Sequence, residues 1–322
     1  MSTPRPMDYR VRHVTVYDYA TPVTISHHAG RLRPRHFDTQ KVHDSALHIA
    51  PVPSHRRERR DFFGNTLTTF TLAEPYRALT VTATSHVSVQ PPRLPEAIHT
   101  PPWEQVADRL AGGLGADVVD AGQYAFDSPL VAASADLRDF AAPSFPPGRP
   151  ILSGVRDLCH RVHTAFAYDP AATTIATPLA LVMRERRGVC QDFAHVMIGA
   201  LRSLGLAARY VSGYVLTRMP GDGDRLEGGD ASHAWLSVFV PVDGAPNGGW
   251  IDVDPTNDKL VTHEHVVVAW GRDFDDVSPI KGVMLGGGNA APSVSVDVTP
   301  LNPDGSVMRD PPPGGGGPMT DR

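Results

Sequence analysis

The sequence predicts an α+β fold in which an antiparallel β domain precedes a second domain, where helices pack on an antiparallel sheet. Residues 7–92 contain short runs of β-branched residues without long helical periodicity, whereas residues 151–300 alternate helical stripes with strands. The 322 residues are enough for two domains. The 29 Gly and 31 Pro residues exceed average usage, which argues against a helical bundle or coiled coil.

The N-terminal part is predicted to be a β-sandwich-like domain over residues 7–92. Gly64 and Asn65 interrupt two strand-like runs and are typical of a turn. Three runs alternate in polarity or are rich in β-branched residues: 9–17, 66–72 and 79–89.

Proline-rich stretches separate the domains. The pairs at 91–92 and 101–102, with the breaker at 143–150, predict a linker with short helices over residues 93–150. At the other end, residues 301–322 have the Pro/Gly composition of a disordered tail.

The second domain is predicted to contain two amphipathic helices followed by strands. In the first helix, residues 151–166, the apolar stripe includes Cys159, which is expected to be a small core residue. The second helix begins at Cys190 and ends before Gly205, a residue suited to the turn after a helix. Strands are predicted at 209–217, 232–240, 250–253, 265–269 and 293–298.

Composition excludes several classes of protein. A net charge of −5 argues against a nucleic-acid-binding surface, and no apolar run is long enough to span a membrane. The first residues lack the apolar run of a signal peptide, so the expected location is the cytoplasm, where both cysteines would be free thiols. Two cysteines are too few for a disulfide scaffold or a Cys-rich zinc site, and no cofactor is indicated.

Cys190 is a candidate nucleophile. A helix start stabilises a thiolate, and its backbone N–H groups can face a developing oxyanion. The thiolate also needs an imidazole and a group that orients it. His233 lies on a predicted strand, after a loop that leaves it at an edge, and a hairpin partner would bring Asp254 beside it. Asp252 shares the face of Asp254 and is the rival for that role. Spacing alone leaves a packed cysteine with an accidental histidine partner as the alternative, because the chain has 15 His.

The residues around these three side chains resemble the transglutaminase-like superfamily. The resemblance lies in residues 188–195 (GVCQDFAH), 231–235 (ASHAW) and 249–257 (GWIDVDPTN). Further similarity follows at 204–214 and 271–282. Residues 28–35 and 61–65 resemble the N-terminal domain that accompanies this core in bacteria, so the resemblance covers about residues 8–300.

The resemblance implies a papain-like arrangement over residues 151–300, with a nucleophile helix packed on an antiparallel sheet. Cys190 would be the nucleophile, His233 the general base and acid, and Asp254, which carries the Asp-Pro-Thr pattern, the orienting carboxylate. The implied reaction is acyl transfer at amides of peptides or proteins through a thioester. An amine acceptor gives transamidation, and water gives hydrolysis.

Five neighbouring residues are supporting candidates. Gln191 and Asp192 follow the nucleophile, Trp235 follows His233, and Asp252 precedes Asp254. Animal transglutaminases use an upstream Trp to stabilise the oxyanion. Tyr168 is the candidate substitute, because no Trp lies between 104 and 234.

Two other functions compete with the enzyme. A metal centre at Cys159, His160 and His163, or at Cys190, His195 and His233, is disfavoured, as is a calcium site in the acidic loop at 222–230. The second is a non-catalytic binding protein on the same fold, which the presence of all three triad residues disfavours. The sequence does not indicate an oligomeric state.

Overall fold

The computed structural model describes residues 6–113, 115–216, 231–242, 245–288 and 290–308, which form a seven-stranded and a five-stranded antiparallel sheet, a two-stranded parallel pair and the helices. The helices are α1 (Trp103–Gly112), α2 (Ala116–Gly122), α3 (Ala135–Ala141), α4 (Ile151–Ala165), α5 (Leu179–Glu185), α6 (Cys190–Arg202) and α7 (Phe274–Val277). The strands are β1 (Met7–Gly30), β2 (Gln40–Ala50), β3 (His55–Arg60), β4 (Thr66–Leu72), β5 (Tyr76–Val89), β6 (Ala167–Tyr168), β7 (Arg187–Gly188), β8 (Ala208–Val215), β9 (Ala231–Phe239), β10 (Trp250–Asp254), β11 (Lys259–Leu260), β12 (His265–Gly271), β13 (Ile280–Gly286) and β14 (Ser293–Leu301). The α+β class predicted from the sequence is confirmed.

The N-terminal sheet is organised around β1, which is 24 residues long. Its strand order is β2-β5-β1-β4-β3. The first half of β1 pairs with β5, and the second half pairs with β4. A strand that changes partner along its length makes the sheet curl, and the inner face buries its own apolar cluster, which includes Val23, Phe70 and Leu79.

The last two strands join this N-terminal sheet. β13 pairs with the second half of β1, and β14 pairs with its first half. The sequence predicted that residues 280–300 belong to the core domain and that the N-terminal domain ends at residue 92. The pairing of β13 and β14 with β1 instead places them in the N-terminal sheet. Alternation identifies a strand, but its partner is selected by long-range packing that a local pattern does not contain.

The linker predicted at 93–150 contains α1, α2 and α3. Their apolar sides are buried against the main core, through Val106 and Leu110 of α1, Val118 of α2 and Leu137 of α3. These helices therefore belong to the packed structure and do not merely connect two domains.

The second sheet has the order β11-β10-β9-β8-β12, and α6 packs on β8 and β9. From Phe193 to Leu201 every residue of α6 is buried, because α3, α4 and α5 cover its other sides. Gly205 adopts φ +78°, a left-handed conformation that favours glycine, and turns the chain toward β8.

Side-chain amides of the N-terminal domain cover the free edge of β12. The Gln40 amide donates to the Val267 carbonyl at 2.8 Å and accepts from the Val267 N–H at 2.8 Å. Asn65 makes the equivalent pair with the backbone of Trp270, at 2.9 and 3.0 Å. The guanidinium of Arg35 lies 3.4 Å from the centroid of the Trp270 ring. The two amides thus take the place of a neighbouring strand and dock one sheet on the other.

The C-terminal tail departs from its prediction at its beginning. Residues 302–308 are ordered, since Asn302 N–H donates to the Ser306 carbonyl at 2.8 Å and Leu301 bridges Val307. Residues 309–322 lie outside the described residues. Across the described chain, every helix is too short or too polar to cross a bilayer.

Candidate active site

Cys190 is the first residue of α6. Val189 before it is extended, and the side chain of Cys190 is half-buried. The first N–H groups of a helix have no partner within the helix and carry partial positive charge. The sulfur therefore lies where a thiolate and an oxyanion are both stabilised.

Asp192 holds the start of α6 in place. Its Oδ2 accepts from the Val189 N–H at 2.8 Å and from the Thr173 hydroxyl at 2.6 Å. A Cβ on Gly188 would lie 2.5 Å from the same Oδ2, so the residue must be glycine for Asp192 to reach it. The supporting role expected of Asp192 is thus accounted for by a helix cap. Gln191 is half-buried in the same first turn.

His233 lies near the start of β9, and Asp254 at the end of β10. His233 Nε2 lies 2.9 Å from Asp254 Oδ2, and both side chains are buried. A second hydrogen bond links His233 to Cys190. The three residues predicted from the sequence are therefore brought together.

The charges of His233 and Asp254 strongly affect each other's pKa. Burial alone would lower the pKa of His233, but the Asp254 carboxylate, with a further contribution from Cys190, raises that pKa to about 10. Burial alone would raise the pKa of Asp254, but His233 and then His265 hold it well below its usual range. The arrangement therefore favours an imidazolium between a carboxylate and a sulfur at neutral pH.

His265, the first residue of β12, is a site residue that the sequence analysis missed. It is buried, and its Nε2 lies 3.0 Å from Asp254 Oδ2, the oxygen that also binds His233. Asn257 Nδ2 donates to this oxygen at 2.7 Å. The other oxygen, Oδ1, accepts from the N–H groups of Thr256 and Asn257 at 3.0 and 3.2 Å. The only sequence signal was a histidine that begins a β-branched strand.

Asp252 has a different environment from Asp254, although the two share a face of β10. It accepts from Trp235 Nε1 at 3.1 Å and from the Ser237 hydroxyl. The Trp235 ring in turn stacks on His233, with centroids 6.0 Å apart and planes at 28°. Among the described residues, no hydrogen bond joins Asp252 directly to His233. The two are linked through Trp235, which donates to Asp252 and stacks on His233.

A buried arginine balances the charge of Asp252. The guanidinium of Arg209 lies 4.3 Å from the Trp250 ring centroid and 3.8 Å from that of Trp270. Burial lowers the pKa of Arg209 to about 10, against the opposing effect of Asp252. Arg209 therefore remains charged at neutral pH.

Two tyrosines lie near the sulfur. The pKa of Tyr168 is raised by partial burial and by Cys190, and the residue is 56% exposed. Tyr168 pairs with Gly188 across β6 and β7, which brings it beside the start of α6. Tyr210 on β8 is buried, and burial followed by Cys190 raises its pKa. Tyr210 was not singled out from the sequence, because it looked like an ordinary core position of a strand.

His195 is a structural residue. It is buried on α6, and its Nε2 accepts the N–H of Phe274 at 3.2 Å. Burial, helped by Arg202, lowers its pKa to about 3, so it is neutral at physiological pH.

The helix α4 uses its Cys and His residues to contact β10 and the turn after it. Cys159 is buried, and its sulfur donates to the Asp254 carbonyl at 3.6 Å. His160 Nδ1 lies 2.7 Å from an oxygen of Asp258, and His163 Nδ1 donates to the carbonyl of Thr256 at 3.0 Å.

Two groups of described residues bring three potential metal-ligand atoms within 4.8 Å of one another: Asp8, His43 and His86 on the N-terminal sheet, and His233, Asp254 and His265. In the second group the Nε2 atoms of His233 and His265 both lie within hydrogen-bond distance of Asp254 Oδ2. Hydrogen bonding therefore accounts for the short distances in this group. The acidic loop at 222–230, the candidate calcium site, lies outside the described residues.

Comparison with known proteins gives consistent matches over most of the chain. The model of the bacterial transglutaminase-like N-terminal region matches residues 9–88, and that of the transglutaminase-like superfamily matches residues 140–255. An uncharacterized protein of Mycobacterium tuberculosis is 42% identical over 92% of this chain and 94% of its own length. One from Mycobacterium leprae is 31% identical over 91% of this chain and 98% of its own.

Among solved structures, a candidate cysteine protease from Cytophaga hutchinsonii superimposes with a TM-score of 0.72 at 21% identity, covering 95% of each chain. At this identity the likeness establishes the fold.

Proposed function

The chain belongs to the transglutaminase-like superfamily, and we propose that it is a cysteine enzyme that transfers the acyl group of peptide or protein amides. One observation carries the proposal: hydrogen bonds run from the Asp254 carboxylate through His233 to Cys190, at the start of a buried helix. A nucleophile, a proton carrier and an orienting group are the parts that this chemistry requires.

In the first half-reaction the Cys190 thiolate attacks the amide carbonyl carbon. An S–C bond forms and the C–N bond breaks, while the His233 imidazolium gives its proton to the departing amine. The products are a thioester on Cys190, a free amine and a neutral His233. The raised pKa of His233 ensures that the proton is present at the start of this step.

In the second half-reaction an acceptor resolves the thioester. An amine or a water molecule attacks the acyl carbon as neutral His233 takes its proton, and the thiolate leaves. An amine gives a new amide, so the net reaction is transamidation. Water gives a carboxylic acid, so the net reaction is that of a peptidase or amidase.

The oxyanion formed in each step needs donors. Backbone N–H groups at the start of α6 are the first, because a helix leaves them without internal partners. The candidate second donor is the hydroxyl of Tyr168, which pairs with Gly188 just before α6. Tyr168 is exposed and can meet a substrate, whereas Tyr210 is buried.

Selective alkylation tests the nucleophile. Near pH 7, intact-mass analysis with iodoacetamide should find Cys190 modified at least about a hundredfold faster than Cys159. The variant His233→Ala should lose most of that difference. Equal, slow labelling of both thiols in the wild-type protein would contradict the proposal.

The acceptor is identified by a separate assay. A Gln-containing protein is incubated with a small fluorescent primary amine, and both amine incorporation and acid release are measured. Incorporation identifies a transamidase, and acid release alone identifies a hydrolase. Cys190→Ala should abolish both; a partner protein still captured by this variant would instead support the non-catalytic binding function.

A further inference from the structure

We propose that His265 is a positioning residue of the site: as a neutral imidazole it donates its Nε2–H to Asp254, fixing the carboxylate and limiting the charge that Asp254 presents to His233. This inference rests on the proposed function. Nothing in the motif around Cys190, His233 and Asp254 indicates a second histidine, which arrives from β12 only in the folded chain.

Three donors meet at one oxygen of Asp254. The residue is fully buried, and its Oδ2 receives His233 Nε2 at 2.9 Å, His265 Nε2 at 3.0 Å and Asn257 Nδ2 at 2.7 Å. A carboxylate oxygen offers two lone pairs, so these donors share the available acceptor capacity. Each added donor draws charge from the oxygen that faces His233.

Only one of the two imidazoles on Asp254 is cationic. Burial lowers the pKa of His265, and the charges of His233 and Lys259 also lower it, against the opposing hydrogen bond and charge of Asp254. The pKa of His233 is raised. One buried carboxylate compensates one imidazolium, since a second buried cation would be uncompensated. His265 is therefore the neutral member, with its proton on Nε2.

The other ring nitrogen of His265 is left as an acceptor. With the proton on Nε2, Nδ1 can accept a hydrogen bond, and among the described residues it has no hydrogen-bond partner. His265 lines a cavity of about 30 Å³ between the two domains, together with Gln40, Asp252 and Thr262. This volume is large enough for one water molecule.

The consequence is that His233 holds its proton less firmly than it would beside Asp254 alone. His233 must release its proton to the leaving amine and recover it from the acceptor, so a carboxylate that holds the proton too firmly would slow the first step. His265 weakens this hold without adding charge. Through Gln40, which binds β12 at Val267, the N-terminal domain helps to position His265.

The test is the pH dependence of Cys190 alkylation by iodoacetate. This reagent is an anion, so its rate should fall at alkaline pH when His233 loses its positive charge. His265→Leu removes the donor, and His265→Gln retains a neutral N–H donor. In the Leu variant the alkaline fall should shift to higher pH by about one unit, because Asp254 then holds the His233 proton more firmly. At pH 7, where His233 is cationic in either protein, the rate should stay within about threefold of wild type. The Gln variant should keep the wild-type pH dependence.

A second measurement uses the unaltered protein. Two-bond ¹H–¹⁵N spectra at pH 7 distinguish a neutral imidazole protonated on Nε2 from an imidazolium. His265 should give the neutral pattern and His233 the cationic one. A cationic His265 would overturn the proposal whether or not the Leu variant folds.

The outcomes separate the two proposals. A wild-type protein with reactive Cys190, and a Leu variant with an unchanged alkaline fall, would refute the role of His265 alone. A wild-type Cys190 no more reactive than Cys159 would overturn both.

Discussion

The helices α4 and α6 each carry one of the two cysteines, and they give the same side chain opposite properties. Cys159 lies in the middle of α4, where it is 0% exposed. Burial, followed by the charges of Asp258 and Asp254, raises the pKa of its thiol well above the usual range. Cys190 begins α6, is half-buried and is hydrogen-bonded to His233. Position along the helix thus decides whether a thiol is packing or a candidate nucleophile.

The two helix starts differ as well. Pro150 precedes α4, and the first-turn N–H of Leu152 donates to the hydroxyl of Thr100, from an earlier segment, at 3.2 Å. The start of α6 is held by Asp192, which fits only because residue 188 is glycine. The start of α6 is thus fixed by a residue of the helix itself, and that of α4 by a residue from an earlier segment.

The largest expected effect is on the pH dependence of alkylation. A raised thiol pKa means that Cys159 has almost no thiolate near neutrality, so its rate should become appreciable only above about pH 9 or on unfolding. At pH 7 Cys190 should therefore react at least about a hundredfold faster than Cys159. Timed quenching and peptide mapping at pH 6, 7, 8 and 9 measure both rates. If the two rates rose in parallel, the comparison between the helices would fail.

An intermediate effect is expected from a matched pair of glycine substitutions. In Gly188→Ala the new Cβ would lie 2.5 Å from Asp192 Oδ2, and in Gly154→Ala it would lie 2.5 Å from Phe145 Cε1. Both variants should lose about 1–3 kcal/mol of unfolding free energy through overpacking. Only Gly188→Ala should also slow Cys190 alkylation, by roughly three- to tenfold, because it displaces the helix start.

Urea denaturation and the iodoacetamide rate measure the two effects of these substitutions separately. Gly154→Ala is the control for a clash of similar size on the other helix. An equal loss of Cys190 reactivity in both variants would mean that general loosening, and not the start of α6, controls the thiol.

The smallest effect is expected for Cys159→Ala. Removing the buried sulfur should destabilise the protein by about 1 kcal/mol and leave the Cys190 alkylation rate within about twofold. Conversely, Cys190→Ala should change stability by no more than about 0.5 kcal/mol, since the side chain is only half-buried. Denaturation curves test both halves of this prediction. A larger loss for Cys190→Ala would reverse the assignment of packing and reactive thiols.

Local pattern accounts for much of what could be predicted. The apolar stripe of 151–166 correctly identified Cys159 as a buried residue, and the helix from Cys190 begins where the glycine and the apolar spacing indicate. The strands of His233 and Asp254 were also predicted, and a hairpin relation between them is observed. These features depend on contacts between residues close in sequence, so the information lies in short segments.

Other features could not be predicted from short segments. Asp252 and Asp254 were equal candidates by alternation, and their different hydrogen-bond partners separate them only in the fold. The strand predicted at 293–298 was assigned to the core domain, yet it pairs with β1, as does β13, which was not predicted as a strand. Gln40 looks like an ordinary polar residue, although its amide completes the edge of β12.

The sequence by itself determined the α+β class, the superfamily and the helix that begins at Cys190, and it predicted Cys190, His233 and Asp254 as the candidate catalytic residues. Periodicity, helix starts and a short motif encode these features locally. Tertiary structure alone decided that His265 shares the carboxylate and that the last strands pair with β1 of the first sheet. The physical reason is that these contacts join segments far apart in the chain, and burial and hydrogen-bond satisfaction over the whole molecule select them.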